Sequence, residues 1–376
     1  MRPVPAGHLS WRTYLQAPLT PVLLSSAPAE LSPWGSLLGS FAGAAGDVPA
    51  LLAFAVEAGR TWPRPGEGRT AVLWELLASV AATDVAAARV LEPHLDAVAI
   101  LAQAGQAFPA FHPAPDGAAE AAWGVFAAEA PNARLEARSG STGIVLTGTK
   151  PWCSLAGRLD CAVITAHTDD GGRAAFAVSL RHPGVACEEP EWIARGLREI
   201  PSGSVRFDHV PATPVGDTGW YHSRPGFAWG GMGVAACWLG GAVGVARDFR
   251  AGLLAGADNG REPDQLALAA LGEVDRTIAA VLQYLARTAA RIDDGTLGAD
   301  GNQSTWSEAQ RVRGTVAAAV ERVLHLVGSH RGPEPLAFDE PYAKRMADLA
   351  LYVRQHHGAR DDAQLGRLAL KGDCPW

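Results

Sequence analysis

The spacing of hydrophobic residues changes twice along this 376-residue chain, and that double change limits the folds open to it. Leu73, Leu77 and Val80 fall on one helical face, and Leu95, Val98 and Ala102 continue at helical spacing. From about Ala122, short runs at 144–146, 161–165, 174–180 and 204–207 replace the helices, each bounded by Gly, Asp or Pro clusters. Val205 and Phe207 alternate with Arg206 and Asp208, as in a half-buried strand. From about Gly226 the helical period returns through Leu271, Val274, Ile278, Val281, Leu285 and Ile292, then through Val312, Val316, Val320, Val323 and Val327. The pattern predicts an α+β multidomain chain. It comprises an N-terminal helical domain over 1–121, a central antiparallel β-barrel or sandwich over 122–225, and a C-terminal helical bundle over 226–376.

Local signals add detail. The 63–70 segment, PRPGEGRT, reads as a loop, with Thr70 placed to cap the next helix. Pro93 predicts a kink or a new helix near Glu92, and 108–117 reads as a Pro-rich connection. Thr305 and Glu308 have the spacing of a capping box. Gly328 suits a helix C-terminus, and a last helix is expected over 343–355.

Composition excludes several classes. Hydrophobic residues make up 48% of the chain and charged ones 19%, enough for large cores and unlike a disordered chain. The net charge of −7 gives no basic excess for a nucleic-acid partner. Cys153, Cys161, Cys187, Cys237 and Cys374 form no CxxC and an odd set, which reads as reduced thiols in a cytoplasmic protein. Residues 1–16 lack the apolar core of a signal peptide. The segment 225–246 is uncharged but holds seven glycines, so it reads as a helix packed closely among others and not as a membrane span. His356 and His357 are adjacent and His325 and His330 are five apart, so no metal site is expected. GxGxxG, P-loop and GxSxG patterns are absent.

The stretches LTGTKPWCSLAGRLDCAVITA (146–166), PSGSVRFDHVPATPVG (201–216), EPHLDAVAILAQAG (92–105), GVARD (244–248) and RMADLALYVRQHHGARD (345–361), in that spacing, resemble the acyl-CoA dehydrogenase superfamily over nearly the whole chain. The resemblance implies that the C-terminal domain is a four-helix bundle. It implies FAD bound between the β domain and those helices, with Trp152 against the flavin ring and Ser154 at its reactive edge. Ala128 and Glu129 stand where the family has a Thr-Glu pair leading into the flavin site. The resemblance further implies a small-molecule substrate such as an acyl-CoA, and assembly as a homodimer or homotetramer.

Three positions depart from the family pattern. The Gly-rich turn after Glu129 is replaced by Ala130-Pro131-Asn132-Ala133-Arg134. An Arg that contacts the FAD diphosphate of a neighbouring subunit is matched only by Arg261, in Asn259-Gly260-Arg261-Glu262-Pro263-Asp264. The catalytic carboxylate is missing: its usual position holds His357, before Gly358, and its alternative falls in GMGVAACWLG, which has no acid. His357 and Asp361 are four apart and share a face if helical, so the pair offers an imidazole base with an orienting carboxylate. That pairing resembles the two-component flavin monooxygenases of the same fold, in which His94 would add a polar group to the pocket. Three readings follow: an acyl-CoA dehydrogenase-like flavoenzyme with an atypical base, a flavin monooxygenase, or a non-catalytic member of the family.

Overall fold

The computed structural model describes residues 19–105, 121–140, 143–188, 192–297 and 303–376. The readings made for 1–16 and 108–117 lie outside them. The N-terminal helices are α1 (Gly35–Ala44), α2 (Val48–Thr61), α3 (Thr70–Thr83) and α4 (Val85–Gln103). The break falls at Asp84 and not at Pro93. The Asp84 carboxylate accepts the Ala86 N–H at 3.0 Å and caps α4. Pro93 sits inside a continuous helix, where it only denies the Arg89 carbonyl its helical donor. Helix α3 is buried around its whole circumference, not on one face. Even Glu75 is inaccessible, and its Oε1 accepts the backbone N–H groups of Leu24, Ser25 and Ser26 at 2.7–2.9 Å. Thr70 bonds Asp293 through both its backbone N–H and its hydroxyl, tying α3 to the C-terminal helices.

Seven strands follow: β1 (Trp123–Phe126), β2 (Leu135–Gly140), β3 (Gly143–Ser154), β4 (Cys161–His167), β5 (Arg173–Ser179), β6 (Val185–Cys187) and β7 (Ser202–Val215). Pairing runs antiparallel through β4–β5–β7–β3–β2 and returns to β4 by one parallel pair, Glu136 with His167. Strand β1 lies parallel to β4, and β6 is antiparallel to β7. The sheet is therefore mixed where a purely antiparallel one was expected. The β2–β3 hairpin is inserted between β1 and β4, which leaves those two strands pointing the same way.

The C-terminal helices are α5 (Trp220–Ser223), α6 (Pro225–Asp258), α7 (Gln265–Asp293), α8 (Gln303–Arg331), α9 (Pro333–Phe338), α10 (Glu340–Tyr352) and α11 (Ala359–Ala369). Val312, Val316, Val320, Val323 and Val327 form the fully buried face of α8. Thr305 and Glu308 lie inside α8, two and five residues past its start, and Glu308 meets Arg291 and Arg311 at 3.4 and 3.3 Å. The helix also runs past Gly328 to Arg331. Helix α6 is long and apolar enough to cross a membrane, yet 83% of its most apolar stretch is buried inside the protein. Its glycines explain the packing: a Cβ on Gly240 or Gly244 would run into the Ala78 or Ala82 carbonyl of α3.

Candidate functional site

The β3–β7 register slips between Lys150 and Cys153, and this bulge turns Trp152 outward. Trp152 is 60% exposed while Pro151 and Cys153 are buried. Its backbone is left-handed (φ 59°), as is that of Leu155 (φ 56°). Such a conformation costs an L-residue about 1–2 kcal/mol and tends to persist at functional sites. Ser154 sits between them. Its hydroxyl pairs with that of Ser202 at 2.7 Å and accepts from Arg89 of α4 at 3.1 Å.

Arg89 leads inward. One turn along α4, Glu92 lies 3.9 Å from its guanidinium, and Asp96 follows one turn later. Both carboxylates line a cavity of about 40 Å3 enclosed by α2, α3, α4 and α6 and walled by Trp62, Trp74 and Trp229. The three indole N–H groups are buried and have no hydrogen-bond partner among the described residues. Buried donors left unpaired are costly and uncommon, and water or a bound group can satisfy them. Asp96 faces Arg224 at 3.8 Å and passes close over Gly230, where a Cβ would stand 2.9 Å from its Oδ1. Burial raises the Asp96 pKa, and Arg224 opposes the rise. Burial pushes Glu92 up to about 7; Arg89 and Arg313 oppose it, and Asp96 adds to it. The Tyr352 hydroxyl lies beside Glu92 and Cys237 and, like the two arginines, opposes the rise of the Glu92 pKa.

Arg313 also lies near the histidine pair. Arg313 stacks on Trp238 at 4.7 Å and donates to the Gly231 and Gln355 carbonyls at 2.9 and 2.8 Å. His356 and His357 line a separate cleft of about 390 Å3, and neither borders the tryptophan cavity. The structure brings His357 and Asp361 together: Asp361 Oδ1 is 3.3 Å from His357 Nδ1, and its Oδ2 accepts the His357 backbone N–H. It also places His356 Nδ1 at 3.2 Å from Asp361, too poorly aligned for a hydrogen bond. The His357 side chain is 61% exposed.

The other residues singled out in the sequence lie elsewhere. Glu129 is the anion of an ion-pair hub, accepting from buried Lys150 at 2.6 Å and from Arg173 at 2.9 Å, with His167 at 3.3 Å. Burial pushes its pKa up, but Lys150 and Arg173 outweigh that and hold it low. Ala128 is exposed beside it and offers only a methyl group and backbone. His94 lines neither cavity. It is buried, its Nδ1 accepts the Trp123 N–H at 3.1 Å, and it ties α4 to β1. Burial, with help from Arg60, lowers its pKa to about 4, so it stays neutral. Arg261 is exposed in the α6–α7 turn, about 40 Å along the helix from Gly230 at 1.5 Å per residue. The residues missed from sequence are Arg89, Glu92, Asp96, Arg313 and Tyr352. The one available signal was a pair of acids four apart in an otherwise apolar helix.

No protein-family model matches the sequence, and no curated protein matches it significantly. Solved structures do. Glutaryl-CoA dehydrogenase from Mycobacterium smegmatis superposes with a TM-score of 0.70 at 16% identity, over 96% of this chain and 94% of its own. FMN-bound TdsC from Paenibacillus sp. A11-2 gives 0.69 at 16%, over 86% and 89%. A nitrososynthase from Micromonospora carbonacea var. africana gives 0.68 at 20%, over 92% and 98%. The chain thus has the acyl-CoA dehydrogenase fold.

Proposed function

We propose that this protein is a flavin-dependent oxidoreductase that oxidises the α,β-bond of an acyl thioester or a related small molecule, with FAD as its cofactor. The observation that carries the reading is Arg89. It bonds Ser154, at the flavin edge implied by the family resemblance, and lies 3.9 Å from Glu92, which lines the tryptophan cavity, so one side chain bridges the two. The residues fit a flavin: Trp152 presents an exposed indole that stacks on no ring among the described residues, next to a hydroxyl held in place by two partners. Trp152 would pack against the ring and Ser154 would bond its edge; the bound flavin supplies a two-electron acceptor. Around it, the apolar walls exclude water and the carboxylates provide for proton transfer. Assembly as a homodimer or homotetramer belongs to the same reading and is tested by analytical ultracentrifugation.

The test is the visible spectrum after incubation with FAD or FMN and desalting, followed by anaerobic addition of short-chain acyl-CoAs. Retained flavin that bleaches with a thioester supports the reading. Failure to retain either flavin, with no thioester oxidised, refutes it.

Two observations favour a second reading, a flavin monooxygenase acting on an aromatic compound. Trp62, Trp74 and Trp229 offer apolar faces suited to a planar ring, and TdsC has been solved with FMN and indole. Oxygen uptake with reduced FMN, dependent on indole and yielding an oxygenated product, would decide for it.

A further inference from the structure

We propose that Glu92 is the proton acceptor of this site, supplying from α4 the carboxylate that neither the α10–α11 turn nor α6 provides; the proposal rests on the thioester reading above. Among the ionisable side chains lining the tryptophan cavity, Arg64 pairs with Glu67 at 3.2 Å, and Asp96 is opposed by Arg224 and pressed over Gly230. Glu92 lies 3.9 Å from the Arg89 guanidinium, and its side chain keeps 12% of its surface open. It stands three residues after the arginine that holds Ser154, so a substrate between Ser154 and the tryptophans would lie against it. His357, at the expected position, lines the other cleft and not this cavity.

The groups facing Glu92 suit it to exchange a proton. Arg89 on its own helix and Arg313 from α8 favour the anion, while Asp96 disfavours it. The Tyr352 hydroxyl of α10 and the Cys237 thiol of α6 are neutral neighbours, both thiol and hydroxyl held protonated by burial. With burial, the balance leaves both forms of Glu92 populated near neutral pH.

The carboxylate takes the α-proton, and the electron pair of that C–H bond moves into the forming Cα=Cβ bond. The β-hydride, with its two electrons, leaves to the flavin. With no oxidant the first half still runs alone: the pair rests on the thioester as an enolate, and Glu92 returns a proton from solvent. In D2O this gives exchange at the α-carbon with no net redox change.

The experiment follows that exchange by proton NMR, using butyryl-CoA and the full-length, flavin-free protein in D2O. Wild type is expected to exchange the α-protons faster than buffer, with a rate that rises with pH through about 7. Glu92→Gln is expected to lose on the order of 100-fold or more, the usual worth of a positioned base. Glu92→Asp, which keeps the charge but shortens its reach, is expected to fall between the two and controls for misfolding. Equal exchange by wild type and E92Q, or loss confined to His357→Ala, overturns the proposal; so does a wild type that neither exchanges nor oxidises the thioester. Exchange lost in E92Q by a protein that never retains flavin keeps Glu92 and sinks the oxidoreductase reading. Flavin-dependent oxidation of the thioester that is unchanged in E92Q does the reverse.

Discussion

Glu92 also makes a prediction about stability that needs no substrate. Its carboxyl has an ordinary value of 4.5 and is raised to about 7 in the folded protein, chiefly by burial. Between those values the unfolded chain has released a proton that the folded protein retains. Folding therefore loses stability as pH rises through this window and levels off above it. The rise from 4.5 to about 7 is worth about 3 kcal/mol. Glu92→Gln keeps the shape and removes the titration. The variant is expected to match wild type near pH 4 and to exceed it by about 3 kcal/mol at pH 8. For 376 residues unfolding with about 2.1 cal/mol/K of entropy each, that corresponds to a melting-temperature gain of about 4 °C. Urea unfolding at pH 4.5, 6 and 8 measures it. If the wild-type and variant curves stay parallel across the window, Glu92 titrates alike in the folded and unfolded chain, and burial does not raise it.

Other outcomes follow from the same structure. His94, held neutral with a pKa of about 4 against an ordinary 6.5, should cost wild type about 3 kcal/mol as pH falls from 6.5 to 4. His94→Asn, which keeps an acceptor for the Trp123 N–H but cannot titrate, should flatten that acid limb in urea melts. Trp152→Gly relieves a left-handed backbone and removes an exposed ring, so stability should stay within about 1 kcal/mol while flavin affinity by fluorescence titration drops at least tenfold. Gly240→Ala drives a methyl into the Ala78 carbonyl and should destabilise by about 2–3 kcal/mol or more in thermal melts.

The architecture was legible because its signals are periodic. Val312 to Val327 announced a helix face that the structure buries completely, and the glycines of 225–246 announced close helix contact. The site was half legible. EPHLDA drew attention to His94, which faces β1, while Glu92 and Asp96, two residues to either side of it and so nearly opposite on a helix, line the tryptophan cavity. Pro93 misled for a similar reason. A proline breaks a helix that has no other support, but α4 is capped by Asp84 and packed on several sides. Arg313 could not be read at all. Its meaning lies in contacts with Gly231 and Gln355, 82 and 42 residues away, which no local pattern encodes. The bulge at Trp152 likewise depends on the register with β7, a partner about fifty residues downstream.

The glycines of α6 bear on the order in which the chain can assemble. Seven of them at roughly 0.8–1.0 kcal/mol each remove on the order of 6 kcal/mol of helix propensity from 225–246. Released alone, that stretch is neither a stable helix nor a charged, well-solvated coil. It becomes a helix when α3 is already there to receive it, carbonyl against glycine. Synthesis from the N-terminus meets this need, because Ala78 and Ala82 emerge more than 150 residues before Gly240 and Gly244. A circular permutant that placed α6 first would expose the ribosome-bound chain to an uncharged apolar segment with no template, and such a chain would aggregate even though its finished fold is unchanged.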